Sequence, residues 1–76
     1  MTQTGYMREA RRVSGMTQAD AAAVIGISAA TYNKFEAEFG EFRVGQVITL
    51  AKAMGDEGRD LVRRALVSFF DDGVGV

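Results

Sequence analysis

The stretch Gln18–Glu36, QADAAAVIGISAATYNKFE, decides the fold. Thr17 stands immediately before it and three residues ahead of Asp20. That is the spacing of a capping box, with Asp in place of the usual Glu. Ala21, Ala22, Val24 and Ile25 continue a helix rich in small residues with good helix propensity. Gly26 stops it, because glycine takes the left-handed conformation of a helix exit without a Cβ penalty. Ser28 then caps a second helix that runs to about Glu36 or Ala37. After Ile27, its apolar residues are Tyr32 and Phe35, a narrow stripe that leaves Ala29, Ala30, Asn33 and Lys34 on open faces. The pair reads as two helices joined by a tight turn. Ala22 presents no bulk at the crossing, and the anchored second helix projects its other face into solvent.

Outward from this pair, glycines at 5, 15, 26, 40, 55 and 73 punctuate a chain that has no proline. An N-terminal helix is expected from about Tyr6 to Val13, with Tyr6, Ala10 and Val13 as its apolar stripe. A fourth helix follows the i, i+3, i+4, i+7, i+10 pattern of Val44, Val47, Ile48, Ala51 and Met54, closed by Gly55. In a fifth, Asp56 can cap, and Leu61, Ala65 and Phe69 run beside Val62, Leu66 and Phe70 as adjacent rows. No useful period-2 alternation occurs, so the expected class is all-α, with five helices in one domain. The core spans about residues 6–70, and residues 71–76 read as a flexible tail.

Seventy-six residues support one small core. There is no Cys and no His, which removes disulfides, thiolate nucleophiles, zinc sites with S or N ligands and the commonest general acid/base. No convergent catalytic set remains, and no metal, cofactor or small-molecule ligand is implied. No apolar run is long enough to span a membrane, and no export signal opens the chain, so a soluble cytoplasmic protein is expected. The net charge of −1 gives no support for nucleic-acid binding. Residues 1–55 carry six basic and five acidic side chains, and residues 56–76 carry three and five.

From about Met7 to Gly55 the sequence resembles the Cro/repressor (Xre-type) helix-turn-helix family. Met16-Thr17-Gln18 is similar to the family's opening of its second helix. Ala22, Gly26, Ile27-Ser28, Thr31, Phe35 and Glu36 fall at matching places, and Leu50–Gly55 resembles its closing helix. The resemblance implies a compact lambda-repressor-like domain whose third helix, about residues 28–37, enters the DNA major groove. The function implied is transcriptional regulation, as a homodimer on a palindromic double-stranded operator. A stand-alone domain of this size also suits a phage or mobile element.

Carried over residue by residue, the resemblance makes Ala29, Ala30, Thr31, Asn33 and Lys34 the base-reading positions. An alanine methyl can pack on thymine, Asn33 can pair with adenine, and Lys34 can reach guanine or phosphate. Gln18 would bond a phosphate or the neighbouring residue of the reading helix. Thr17 and Ser28 are caps whose helix starts can face phosphate, and Arg12, Arg43 and Arg8 are further phosphate candidates. Arg11 and Glu36 match a structural ion pair. Leu66, Phe69 and Phe70 are the expected dimer contacts.

Two departures from the family pattern stand out. Ala21 occupies a large aliphatic position while Tyr32 replaces a smaller one, which suggests a volume exchange with the tyrosine hydroxyl on a polar partner. The segment Ala37–Phe42 carries Glu38 and Glu41, which repel phosphate, and Phe39 and Phe42, which should fold inward. That acidic loop favours a rival reading, a helix-turn-helix module that binds protein, such as an antitoxin, antirepressor or assembly factor.

Overall fold

The starts of the first three helices each follow from a local capping device. The computed structural model describes residues 2–74. In it Thr2 Oγ1 accepts from the Gly5 backbone N–H at 3.0 Å and starts α1, Gln3–Val13. The helix therefore begins three residues earlier than the glycine punctuation suggests, and Gly5 lies inside it. Helix α2, Gln18–Ile25, opens with the reciprocal Thr17–Asp20 box, at 3.0 and 2.9 Å. It closes at Gly26, whose φ of +72° is open to glycine at little cost. Ser28 Oγ accepts from the Thr31 N–H at 3.1 Å and starts α3, Ala29–Ala37. A short 3-10 turn, Phe39–Glu41, leads to α4, Val44–Ala53, and α5, Asp56–Val74. These five helices, with no strand among the described residues, make the chain all-α.

The core gathers Met7 and Ala10 from α1, Ala21 and Ala22 from α2, Tyr32 from α3, Phe39 and Phe42 from the turn, Val47, Leu50 and Met54 around α4, and Val62 and Ala65 from α5. In α1 the fully buried residues are Met7 and Ala10, with Tyr6 and Val13 only half-buried. The stripe is thus rotated from the one expected. A similar correction applies to α4. Its buried ridge is Val47, Leu50 and Met54 with Ala51 beside it, while Val44 and Ile48 are exposed. The apolar run admits two overlapping stripes, and contact with both α2 and α5 selects the second.

The widest helix–helix contact is between α1 and α5. It is close because Gly58 is buried there, where an added Cβ would come within 2.3 Å of Ser14 Oγ and 3.1 Å of the Ala10 carbonyl. Phe42 is the hub of an aromatic cluster, with ring centroids 5.8 Å from Tyr32, 5.4 Å from Phe35 and 5.7 Å from Phe39, all edge-on. Phe39 and Phe42 do fold inward. Helix α5 continues past the expected core limit at Phe70 as far as Val74, through Gly73, and the last two tail residues lie outside the described region.

Candidate nucleic-acid interface

Helix α3 is held by one side and presents the other. Tyr32 and Glu36 are fully buried and Phe35 is half-buried, while Ala29, Ala30, Asn33 and Lys34 are exposed. Thr31 is intermediate, and its Oγ1 lies 2.9 Å from Ser28 Oγ at the start of the helix. The open face therefore carries two methyl groups, an amide, an ammonium and a partly covered hydroxyl, close to the set expected.

Glu36 is the node that fixes this helix to its neighbours. Arg11 approaches it with two nitrogens, Nε to Oε2 at 3.0 Å and Nη2 to Oε1 at 3.2 Å, and gives its third nitrogen to the Met16 carbonyl at 3.2 Å. Such a two-pronged guanidinium–carboxylate contact sets orientation as well as charge. Arg8 adds Nε at 3.4 Å from Oε1. Burial alone would push the Glu36 carboxyl up; the hydrogen bonds and charge of Arg11 outweigh it, and the group ends below the usual carboxylate range. Arg11 in turn is held above its ordinary value by its bonds to Glu36.

Gln18 joins the same network. Its Nε2 donates to Asn33 Oδ1 at 3.1 Å and to Glu36 Oε1 at 3.4 Å. Of its two expected roles, the geometry realises contact with α3, and Asn33 is tied through Gln18 to the buried carboxylate. The Tyr32 hydroxyl is buried beside the Arg11–Glu36 pair but makes no hydrogen bond of good geometry with it. Burial first, and then the nearness of the Glu36 carboxylate, pushes its ionisation far above the ordinary phenol range.

The cations are unequally available. Arg12 is exposed but pairs with Glu9 on its own helix. Arg8 is 56 % exposed yet committed to Glu36. Arg43 is exposed at the start of α4, where its backbone N–H donates to Gln46 Oε1 at 2.9 Å, and its side chain makes no ion pair among the described residues. Lys34 is likewise unpaired there. Glu38 and Glu41 follow α3 directly, both exposed and without a cation partner among the described residues. Thr17 and Ser28 are exposed caps, as expected.

The three proposed dimer contacts separate. Leu66 is half-buried beside Val62 in a groove between α4 and α5. Phe69, 47 % exposed, rests on Phe39 with centroids 5.4 Å apart and touches Gly40. Phe70 is 71 % exposed. Sequence reasoning missed the Arg8–Glu36 contact, although Arg8 stands three residues before Arg11 on the same helix face. No helix among the described residues is long and apolar enough to cross a membrane.

The family model described as helix-turn-helix matches residues 7–58, more than two-thirds of the chain. No curated protein and no solved structure matches it at a significant level. The matched span starts at the buried Met7 and ends at the buried Gly58, so it takes in α1 from its second turn, all of α2, α3 and α4, and the start of α5.

Proposed function

The chain belongs to the helix-turn-helix family of the Cro/C1, Xre-like type, a family of DNA-binding regulators and not of enzymes, and from that premise we propose that it is a sequence-specific transcriptional regulator. In this reading α3 enters the major groove, with Ala29, Ala30, Thr31, Asn33 and Lys34 toward the bases. Thr17, Ser28 and Arg43 lie toward phosphate, the helix starts at Thr17 and Ser28 offer N–H donors there, and Gln18 would serve phosphate only by giving up its bonds to Asn33 and Glu36. Arg12 serves phosphate only by leaving Glu9. Two copies pair as a homodimer, so that two reading helices meet the halves of a palindromic operator.

The observation that carries this reading is the way α3 is mounted. A buried ring and a buried ion pair hold one face, and the Gln18–Asn33 bond orients an amide on the other. A side chain fixed by packing and hydrogen bonds loses less entropy on contact with a base edge. Lys34→Ala tests it, because Lys34 supplies charge to that face and supports nothing in the core. Titration of labelled duplex DNA should show weaker binding by roughly tenfold. Equal affinity for variant and parent would mean that a different face meets DNA.

The unpaired Glu38 and Glu41 favour a second reading, in which the same exposed helix docks on a basic protein surface. It predicts no DNA binding even at low salt.

A further inference from the structure

The groove between α4 and α5 is apolar at its base and basic along its rim. Val47 and Val62, each 1 % exposed, lie at the base, and Ala51, Leu66 and the 44 % exposed Ile48 build the apolar walls. Lys52, Arg59 and Arg63 complete the lining, and no carboxylate among the described residues joins them. Within a chain of net charge −1, the groove is a local concentration of positive charge. These cations have few counter-charges. Lys52 makes no ion pair among the described residues. Arg59 is turned to the last carbonyls of α4, with Nε 3.3 Å from the Ala51 oxygen and Nη2 3.5 Å from that of Met54. Arg63 has a 3.4 Å contact with Asp60, whose closer partner is Arg64 at 3.0 Å.

We propose that this groove receives an acidic amphipathic helix of another protein, with aliphatic side chains in the cleft and carboxylates on the rim. The cleft holds about 230 Å³, below the roughly 300–1,000 Å³ of small-molecule sites. It suits the one or two aliphatic side chains that a docked helix presents at i and i+3 or i+4. All the described elements are helical, so no sheet edge is offered to an extended strand. Charge then sets the sign of the partner. Lys52 stands near the end of α4, Arg59 near the start of α5 and Arg63 one turn further on, so the cations run from the helix junction along the groove. A helix with Glu or Asp beside its apolar row meets them with opposite charge, while a basic helix is repelled. A second copy presenting this same face would bring cation against cation. None of the lining residues belongs to α2 or α3, so the proposal goes beyond the DNA reading and does not depend on it.

A matched pair of peptides tests it. Each is roughly 15 residues long, about four helical turns, with leucines at i, i+4 and i+7. One carries glutamates beside the leucines, the other lysines. Fluorescence anisotropy of the labelled peptides with the full chain should show the glutamate peptide binding at least roughly tenfold more tightly than the lysine peptide. The double variant Lys52→Glu/Arg63→Glu should invert that preference, and Ile48→Ser should weaken the glutamate peptide in the parent background. All three positions are exposed, and far-UV circular dichroism checks that each variant stays helical. Arg59 is left in place because it holds the end of α4. Failure of the glutamate peptide to bind, equal binding of both peptides, or binding that none of these substitutions changes overturns the proposal. So does self-association of the parent, by sedimentation equilibrium, that Ile48→Ser abolishes, since the groove would then be filled by another copy of the chain.

Discussion

Replacing Glu36 by Ala removes the node that joins α1, α2 and α3. The carboxylate is fully buried and the Arg11 side chain is only 19 % exposed. The variant therefore leaves a mostly desolvated guanidinium with the Met16 carbonyl as its remaining partner. Breaking a fully buried pair from one side costs about 3–5 kcal/mol. Arg11 keeps some solvent, and Arg8 is more than half exposed, so about 2–4 kcal/mol is the appropriate scale here. A domain of this length has a total stability of roughly 4–11 kcal/mol. The loss corresponds to a fall in Tm of roughly 10–25 °C by thermal circular dichroism. Glu36→Gln keeps the volume and one acceptor and should lose less. Acid should erase the difference between parent and Glu36→Gln. Because the folded carboxyl sits below its ordinary value of 4.5, its contribution is fully present above that value and disappears as pH falls through the lowered one. A Tm drop below about 4 °C for Glu36→Ala, which is at most 1 kcal/mol, would refute the claim that this ion pair holds α3 in place.

Tyr32→Phe removes a buried hydroxyl that lies beside the Arg11–Glu36 pair without a well-formed hydrogen bond, so Tm should change little, whereas Tyr32→Val opens a cavity and should lower it clearly. A marked loss in the Phe variant would show that the hydroxyl does have a partner in solution. Gly58→Ala places a methyl against the Ala10 carbonyl and Ser14 Oγ and should destabilise by about 1–3 kcal/mol in urea unfolding. Unchanged stability there would mean that α1 and α5 can part without loss.

The devices that sequence makes local were legible. The Thr17–Asp20 box, the Ser28 cap and the left-handed Gly26 each depend on residues within three positions of one another, and each formed where the pattern placed it. The Arg11–Glu36 pair spans 25 residues and was visible only through family resemblance. What failed depends on which neighbour a helix meets. Val44, Val47, Ile48, Leu50, Ala51 and Met54 contain two acceptable stripes, and only the positions of α2 and α5 choose between them. Gly58 was not singled out, since nothing local marks it as the close approach to α1. Glycines 5 and 73 were read as breaks, yet both lie within helices, the first because the Thr2 cap precedes it. At the interface, the open residues of α3 followed from Tyr32 and Phe35 being its anchors. That Gln18 would turn toward Asn33 was one of two roles open to it, and the Glu36 carboxylate, which also accepts from Gln18, favours that choice.

The central claim is that the face built on Ala29–Lys34 binds DNA. The direct measurement is titration of the chain with a duplex selected from a random pool, at low and at physiological salt. Contacts to phosphate from the helix starts, Arg43 and Lys34 release bound counterions, so affinity should fall steeply and linearly in log salt, and the selected duplex should outcompete unrelated DNA. No binding at low salt, or binding that neither salt nor sequence changes, would contradict the account and assign α3 to a protein partner instead.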